Sequence, residues 1–524
     1  MGNYLNGGNS GFASVRKSIY IDKTEMIAFI NSTLGTADKL TCVSRPRRFG
    51  KSFAAKMLCA YYDKSCDSRD LFEGLAISKD ASFEKHLNKY NVICFDVTWF
   101  ISSVKNIEDT VRSLQERIIA ELREAYPEAR ESDTLSETLS AIHKITNEKF
   151  IFIIDEWDAL FREAKQYKKL QEEYINFLRG LFKNTGFTDK VIEAAYMTGI
   201  LPIKKYGSQS AVSDFQEYTM LSPEPLEQYV GFTESEVKAL CEEYSVDFSE
   251  MKRWYDGYSV SMCGSVYNPN SVTQAIKKRR FGSYWTRTET YEALKIYIDL
   301  DMDGLKEAVI RMLGGEKIQI LTGSFQNDMT NISCKDDVLT LMVHLGYLAY
   351  DAEEETVFIP NEEVRQEFVL AVTKGRHKEL AKLIQNSDHL LMQTLDMNEE
   401  AVEKAIEEVH KVVSSPLAYN REDSLRSTIR FAYLTCLEEF IEIDELPSGI
   451  GYADMVFMPK KGSDRPVILI ELKWNKTGES AIRQIKDRDY PHAFKNYGGE
   501  IYLVGITYDV NTKKHTCKIE KCIV

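Results

Sequence analysis

One segment constrains the fold of this 524-residue chain more than any other: the loop Arg45–Ser52, which separates an apolar run from a helical run. Leu40–Val43 has the composition of a β-strand, and Phe53–Tyr62 has that of a helix. A loop that leads from a strand into a helix presents backbone N–H groups and the positive end of the helix dipole to a phosphate group. The segment therefore predicts a phosphate-binding loop at the carboxyl end of a strand.

The loop ends in Gly50–Ser52, which matches the last three positions of the pattern GxxxxGK[ST], whereas Arg45 stands where the first glycine belongs. Gly50 allows the backbone to approach phosphate closely. Lys51 is expected to neutralise the β- and γ-phosphates, and the Ser52 hydroxyl to bind Mg²⁺. A GKS tripeptide alone is weak evidence, but its place between a strand and a helix favours a site for ATP and Mg²⁺.

An acidic pair further along the chain completes the expected nucleotide site. Phe150–Ile154 is a continuous apolar run, typical of a central parallel strand, and Asp155 and Glu156 follow it directly. We expect Asp155 to hold Mg²⁺ and Glu156 to polarise the attacking water. The alternative is a helix N-terminus with an acidic first turn, an interpretation that fits Asp158 well.

Predicted strands and helices alternate through this part of the chain. Val92–Val97 and Val191–Met197 are further runs of strand length, and Glu172–Phe182 has a helical pattern. This alternation predicts an α/β domain with a doubly wound parallel sheet. Thr198 follows the last of these strands and is a candidate sensor of the γ-phosphate, although an ordinary turn residue is the competing interpretation.

A second group of candidate catalytic residues lies near the end of the chain. Asp454 sits within one predicted apolar strand, and Glu471 and Lys473 end the next. In a hairpin the two carboxylates can lie side by side as hard oxygen ligands for Mg²⁺, or alternatively Mn²⁺. Lys473 would orient water and stabilise charge on phosphorus, and Gln484 on the following helix would order the site.

Ordinary surface charge is the competing interpretation of this group, because an isolated ExK pattern is usually only a carboxylate with a lysine partner. However, Asp454 lies inside an apolar strand, where an unpaired carboxylate is costly. A bound cation offsets that cost. The sequence therefore favours a metal-dependent phosphodiesterase site.

Three domains are predicted from these patterns. Residues 1–290 form a P-loop NTPase domain with a helical lid part, 291–414 a helical connector, and 415–524 a small α/β domain. Inside the connector, a helix, a hairpin and a helix follow one another over 338–370. That order is compatible with a winged-helix-like unit and equally with a helical connector that carries a stray hairpin.

The first domain resembles the AAA-ATPase-like proteins of bacteria over most of residues 10–290. The resemblance implies that Arg45 belongs to the family's own version of the loop, and that Arg47 or Arg48 helps to hold phosphate. A solvated or DNA-facing basic edge is the alternative for these two arginines. The motifs that carry the resemblance are Tyr20–Thr24, Arg45–Ser52, Ile153–Glu156, Trp254–Tyr258, Tyr267–Pro269 and Tyr284–Trp285.

The last domain resembles a PD-(D/E)XK nuclease over about residues 415–510. The order of Asp454, the Glu471-x-Lys473 motif and a glutamine-bearing helix carries this resemblance, together with Gly449–Asp454 and Leu503–Ile506. Such nucleases often have a further acid on their first helix. Glu422 and Glu445 are the candidates by position.

Amino-acid composition argues against several other classes of protein. A net charge of −14 argues against a chain coated with non-specific nucleic-acid contacts. No apolar run approaches the roughly 18 residues of a membrane helix, so no membrane contact is expected. Ten cysteines without a CxxC pair predict a reduced, cytoplasmic protein without structural zinc.

Together these features predict an ATP-hydrolysing protein coupled to a Mg²⁺-dependent nuclease. Its substrate is expected to be DNA more than RNA, its assembly a homo-oligomer, and its role defence or mobile-element biology. Two alternatives stay open. One is a regulatory NTPase whose last domain binds nucleic acid or a partner without cutting. The other is a non-catalytic interaction protein in which Arg45 marks an inactive loop.

Overall fold

A computed structural model of the chain contains two compact units, Met1–Trp285 with Gln319–Glu363, and Thr286–Ile318 with Val364–Val524. This division assigns the hairpin of the predicted connector 291–414 to the first unit and the later helices to the second. The structure describes residues 2–523 except 131, 204–211, 213, 261–263, 286–303, 326–331, 333, 375–377, 414–421, 435, 437–438, 449–450, 461–462, 464, 489 and 495–498.

A five-stranded parallel sheet forms the centre of the first unit, in the order β2-β3-β4-β1-β5. One strand, β4, separates the strand that enters the loop from the strand that carries the acidic pair. Residues 150–154 are buried throughout, as expected for a parallel strand covered on both faces. The predicted doubly wound α/β fold is confirmed. The strands are β1 (Leu40–Ser44), β2 (Asn91–Asp96), β3 (Phe150–Asp155), β4 (Ile192–Gly199) and β5 (Gln216–Tyr218).

Helices connect these strands. In α7 the buried residues Val111, Leu114, Ile118 and Leu122 recur every three or four positions, which gives the helix one apolar face for the core. The helices are α1 (Ser10–Arg16), α2 (Glu25–Thr33), α3 (Lys51–Tyr62), α4 (Arg69–Phe72), α5 (Phe83–His86), α6 (Val97–Ser103), α7 (Thr110–Ala125), α8 (Leu135–Thr146), α9 (Ala159–Glu163), α10 (Lys168–Phe182) and α11 (Thr185–Val191).

The predicted lid contains helices and also a small antiparallel sheet, in the order β6-β8-β7, that the sequence did not reveal. Its strands are too short for an alternating pattern to emerge. The Asn268 side chain accepts hydrogen bonds from the Asn270 and Ser271 amides, and Pro269 is the first helical residue, so this motif starts α14. The elements are β6 (Phe232–Thr233), α12 (Glu234–Tyr244), α13 (Phe248–Tyr255), β7 (Tyr258–Val260), β8 (Gly264–Tyr267) and α14 (Pro269–Lys278).

The predicted helix, hairpin and helix are present in the next segment. β10 and β11 pair antiparallel, with Tyr350 opposite Val357, and β9 flanks β11. Leu345 ends α16, and Gly346 follows with a φ of 84°, a value that favours glycine. The elements are α15 (Leu305–Leu313), β9 (Ile318–Gln319), α16 (Lys335–Leu345), β10 (Ala349–Asp351), β11 (Thr356–Phe358) and α17 (Glu362–Lys374).

A mixed five-stranded sheet in the order β12-β13-β14-β15-β16 dominates the second unit. Only β14 and β15 are parallel, and α21 makes the crossover between them. The predicted small α/β fold at the carboxyl end of the chain is confirmed. The elements are α18 (Lys378–Leu395), α19 (Glu399–Val413), α20 (Glu422–Ala432), β12 (Phe440–Ser448), β13 (Gly451–Pro459), β14 (Val467–Trp474), α21 (Gly478–Asp487), β15 (Glu500–Asp509) and β16 (Lys514–Ile523).

Candidate functional sites

The predicted phosphate-binding loop, Arg45–Ser52, joins the end of β1 to the start of α3, as the sequence predicts. Gly50 directly precedes the helix with a φ of 95°, a conformation that other residues adopt only with strain. Lys51 is the first helical residue and is buried, and its Nζ donates to the Pro46 carbonyl at 2.9 Å. Burial lowers the pKa of Lys51, although the charges of Glu156 and Asp155 oppose this effect. The lysine therefore lies among the groups that define the expected nucleotide site.

Arg45 has a structural position in this loop. Its side chain is buried, and Nη1 donates to the Ser44 carbonyl at 3.0 Å and to the Tyr218 carbonyl at 3.1 Å. These bonds join the end of β1 to the neighbouring edge strand β5. The departure from the glycine of the standard pattern thus supplies a link between strands and leaves Gly50–Ser52 unchanged.

Two further motifs hold the loop through its neighbouring arginines. The Asn268 Nδ2 atom donates to the Arg47 carbonyl at 3.3 Å, so α14 is tied to the loop through the same residue that starts the helix. Arg48 Nη1 donates to the Tyr284 carbonyl at 2.7 Å. The phosphate contacts expected of Arg47 and Arg48 stay predictions, but the loop and the lid are physically joined at this point.

A cavity of about 390 Å³ opens beside the loop, which is within the usual range for small-ligand sites. Its lining combines polar residues, apolar or aromatic residues, and polar residues from the lid helix α14. The first group includes Arg48, Gly50, Lys51, Ser52 and Glu156, the second includes Phe12, Ile19, Tyr20, Ile21 and Met57, and α14 contributes Asn270, Thr273, Gln274 and Lys277.

The Tyr20–Thr24 motif also reaches this cavity. Lys23 lines it and forms an ion pair with Glu236 at 2.6 Å. Asp22 accepts hydrogen bonds from the Thr24 hydroxyl at 2.7 Å and from the Ala76 amide at 2.7 Å. Thr24 occupies the N-cap position of α2, but its side chain makes no cap hydrogen bond and donates to Asp22 instead.

The acidic pair lies at the same edge of the sheet as the loop. Asp155 ends β3, and Thr198, near the end of β4, donates from its buried hydroxyl to Asp155 Oδ1 at 2.6 Å. This contact gives Thr198 a direct positioning role on the acid, and its predicted contact with the γ-phosphate stays a prediction. Ser52 lines cavities together with Glu156 on one side and with Asp155 on the other.

The sequence did not predict that Glu156 and Asp158 share an ion-pair network with Arg162. Arg162 on α9 pairs with Glu156, and its Nε donates to Asp158 Oδ2 at 3.0 Å. Asp158 Oδ2 also accepts from the Ile200 and Leu201 amides, whereas the side chain makes no cap hydrogen bond on α9. Asp158 thus stands at the N-terminus of α9, as the alternative interpretation has it, but its carboxylate binds Arg162 and the amides after β4 instead of capping the helix. The spacing of four between Asp158 and Arg162 was the available signal.

Replacing Arg162 with methionine is expected to lower the free energy of unfolding of the first unit by about 3–5 kcal/mol. Its removal leaves the buried carboxylate of Asp158 and the partly buried carboxylate of Glu156 without their cationic partner. Denaturant unfolding of the full chain measures the effect. Arg112→Met is the matched control, because Arg112 is exposed and pairs only at the surface of α7. An equal loss of stability in both variants would contradict the prediction.

The predicted carboxylates of the second unit lie on adjacent strands. Met455 on β13 faces Ile470 on β14, and continuing this antiparallel register by one residue puts Asp454 opposite Glu471. Asp454 Oδ2 accepts from the Leu472 amide at 2.8 Å, which fixes the carboxylate against β14. The structure therefore brings the two acids together, as expected for residues that share one cation.

Lys473 and Gln484 converge on Glu471. Lys473 Nζ donates to Glu471 Oε1 at 2.8 Å, and Gln484 Nε2, from α21, donates to the same oxygen. Burial raises the pKa of Glu471, and the nearby Asp454 adds to this effect. Glu471 Oε2 is buried and has no hydrogen-bond partner among the described residues. A buried carboxylate oxygen that accepts no hydrogen bond from the described residues is a suitable ligand for a cation.

The residues at this position fit Mg²⁺ or Mn²⁺, because both acids offer hard oxygen atoms. The fit rests on two carboxylates only. Within the described residues, no group of three or more His, Cys, Asp or Glu side chains is placed to hold a metal. Glu422 and Glu445 lie outside the residues whose side chains the structure describes.

Two arginines beside the acids were not found from the sequence. Arg426 Nη2, from α20, donates to Asp454 Oδ1 at 3.1 Å. Arg488 is exposed, contacts the Tyr490 hydroxyl at 3.3 Å, and is near enough to Asp454 and Glu471 for their charges to act on it. Neither arginine belongs to a recognisable short motif, and the helix α20 could not be placed against β13 from the sequence.

Comparison with known proteins identifies both domains. Residues 8–208 match the family model described as "Predicted AAA-ATPase", and residues 421–518 match the model of the PD-(D/E)XK nuclease superfamily. The chain thus combines a predicted AAA-ATPase domain with a PD-(D/E)XK nuclease-superfamily domain, and both predicted resemblances are confirmed.

Similar proteins are distant. An uncharacterized protein in the vnfD 5′ region of Azotobacter chroococcum mcd 1 is 24% identical over 285 residues, and the match spans about half the length of each chain, 53%. The Walker-type ATPase PABY2304 of Pyrococcus abyssi is 13% identical over 66% of this chain and 94% of its own, with a TM-score of 0.33. The ORC2 protein of Aeropyrum pernix is 12% identical over 67% and 95%, with a TM-score of 0.28.

Among the described residues, no helix combines the length and the apolar composition of a bilayer span.

Proposed function

We propose that this protein binds and hydrolyses ATP in its first unit and cleaves nucleic acid with a divalent cation in its second. The observation that carries the proposal is the arrangement around Glu471. One oxygen of this buried carboxylate is held by Lys473 and Gln484, and the other is open to a cation beside Asp454. A lysine and a cation on one carboxylate are the groups that phosphodiester hydrolysis requires.

In the first unit, Lys51 and the backbone of the loop would bind the nucleotide phosphates, with Ser52 and Asp155 as the residues that hold Mg²⁺. Bound Mg²⁺ supplies charge neutralisation on the β- and γ-phosphates. Thr198 keeps Asp155 in place through its hydroxyl. Glu156 is the residue expected to accept a proton from water, and its burial raises its pKa. Its ion pair with Arg162 fixes the direction of the carboxylate.

In the second unit, Asp454 and Glu471 would hold Mg²⁺ or Mn²⁺, which supplies Lewis-acid polarisation of the phosphate and activation of water. Lys473 is positioned to orient that water and to stabilise negative charge that develops on phosphorus. Gln484 fixes Glu471 from α21. DNA is proposed as the substrate ahead of RNA. A homo-oligomer in the cytoplasm and a role in defence or mobile-element biology are the corresponding biological proposals, which rest on analogy of fold.

The second candidate function is a regulatory NTPase whose last unit binds nucleic acid or a partner without cutting it. One observation favours it: both oxygens of Asp454 already accept hydrogen bonds, from Arg426 and from the Leu472 amide. An acid engaged in this way is a weaker metal ligand. The two candidates differ in whether the protein cleaves nucleic acid, a reaction for which the first candidate requires Asp454.

Cleavage of labelled DNA and RNA by the full chain distinguishes these candidates. We expect cleavage with Mg²⁺ or Mn²⁺, none with EDTA, and a change of rate when ATP is added. Asp454→Asn should lose cleavage and keep nucleotide binding, because the nuclease site and the nucleotide site are built from separate parts of the chain. Binding of nucleic acid by wild type without any cleavage under every metal and nucleotide condition would establish the second candidate instead.

A further inference from the structure

The two acids of the nuclease site are not equivalent. Glu471 keeps one buried oxygen that has no hydrogen-bond partner among the described residues, whereas both oxygens of Asp454 are engaged. The Leu472 amide, on β14, donates to Oδ2 at 2.8 Å. Oδ1 is held by the guanidinium of Arg426 at 3.1 Å. A cation that binds between the two acids therefore meets a positive charge on the Asp454 side.

The Arg426 side chain is placed where it can dissociate from Asp454. Its side chain is 37% exposed, and that of Asp454 is 25% exposed, so the pair lies at the surface of the site. A partly exposed ion pair of this kind is weak and readily exchanged. Arg430, one turn later on α20, makes the same type of bond to Glu442 at 3.1 Å, but the side chains of Arg430 and Glu442 are less exposed, at 18% and 19%.

Displacement of Arg426 by a cation changes the charge balance of the cluster. Among the described residues, Asp454 and Glu471 carry two negative charges, and Arg426 and Lys473 carry two positive charges. A divalent cation bound between the acids adds positive charge to this group, and the exposed Arg488 lies near enough to add to it. A nucleic-acid backbone carries one negative charge per phosphate, so it offers the displaced guanidinium a partner of the right charge and geometry.

We propose that Arg426 competes with the divalent cation for Asp454 and, once displaced, binds a phosphate of the nucleic acid. The inference rests on the proposed nuclease function. Arg426 then acts as a coupling residue: it weakens cation binding to the protein alone and strengthens nucleic-acid binding to the cation-loaded protein. Cation and nucleic acid consequently bind with positive cooperativity.

Calorimetric titration of the full chain with Mn²⁺, in the absence of nucleic acid, tests the first half of the proposal. Arg426→Gln is expected to bind Mn²⁺ about fivefold more tightly than wild type, because a competing surface ion pair is removed. Arg430→Gln, which removes the matched ion pair on the same helix, is expected to leave the Mn²⁺ affinity unchanged. Equal or weaker Mn²⁺ binding by Arg426→Gln would overturn the proposal.

Fluorescence anisotropy with a labelled DNA duplex in Ca²⁺ tests the second half. Arg426→Gln should bind DNA more weakly than wild type, and its plot of log affinity against log salt should be shallower by about 1, the change expected for one lost phosphate contact. Arg430→Gln should match wild type. An unchanged slope in Arg426→Gln would exclude the phosphate contact.

Two further variants distinguish a failure of the role proposed for Arg426 from a failure of the proposed nuclease function. Arg426→Lys replaces Arg426→Gln as the test variant if the latter folds poorly. It retains a positive charge with a different reach, so its Mn²⁺ affinity should lie between those of wild type and Arg426→Gln. A wild-type Mn²⁺ affinity for Arg426→Lys would count against competition. If wild type and Glu471→Gln both fail to bind Mn²⁺, the nuclease function itself is wrong. If wild type binds Mn²⁺ through Glu471 and Arg426→Gln behaves identically, only the role of Arg426 is refuted.

Discussion

Nucleic-acid cleavage by the Glu471→Gln variant is expected to fall by about 10³-fold or more, since loss of a cation's carboxylate removes several kcal/mol of transition-state stabilisation. Glutamine has nearly the same shape and cannot carry the negative charge. Its amide would also meet Lys473 and the Gln484 side chain, which both donate to this position. The assay compares single-turnover cleavage of labelled DNA in Mg²⁺ and Mn²⁺.

Glu500→Gln is the matched control for this variant. Glu500 begins β15 in the same sheet, is exposed, and forms an ion pair with Lys521 at the surface. We expect it to cleave like wild type. Retained cleavage in Glu471→Gln at the wild-type rate would assign the activity to another site. Nucleotide binding should be unaffected in both variants, which verifies that the first unit is intact.

The sequence was most informative where a single strand carries both the fold and the chemistry. The run Phe150–Ile154 predicted a buried parallel strand, and the acids that follow it lie at the edge of the sheet where the loop also ends. In the second unit, Glu471 and Lys473 are two residues apart on a strand, a spacing that puts both side chains on one face, and the two are hydrogen-bonded. Local periodicity decides such features.

The amino-acid sequence was least informative where packing brings distant segments together. Arg426 reaches Asp454 from a helix 28 positions earlier, and no local pattern specifies how that helix lies over the sheet. The Arg162 network behind Glu156 depends in the same way on the amides of Ile200 and Leu201, which follow a different strand. These charges complete the sites, yet they have no signature of their own in a single sequence.

Short elements were a second source of error. The lid sheet consists of strands of two to four residues, which are shorter than the window in which alternation can be detected. Its motifs were recognised from residue types instead. Asn268 and Pro269 show what these residue types do locally. The asparagine caps α14 and contacts the loop, and the proline occupies the first helical position.

Mg²⁺–ATP binding by the Lys51→Ala variant is expected to weaken by about 10²-fold or more, with hydrolysis lost. Lys51 is a buried cation that lies among the acids of the nucleotide site, and removing such a charge from a phosphate contact typically costs about 2–5 kcal/mol. Calorimetric titration with a non-hydrolysable ATP analogue measures binding, and phosphate release measures hydrolysis. Lys64→Ala is the matched control, because Lys64 lies just beyond α3 and pairs with Glu148 at the surface.

The same variant also reports whether the two activities are coupled. If nucleotide binding controls the nuclease, Lys51→Ala should show the basal cleavage rate of the nucleotide-free wild type and no response to ATP, whereas Lys64→Ala should respond normally. Equal ATP stimulation in wild type and Lys51→Ala would exclude the cavity beside the loop as the regulatory site. Unimpaired binding of the analogue by Lys51→Ala would be the more severe result, since it would remove Lys51 from the nucleotide site and with it the physical basis for ATP hydrolysis in the first unit.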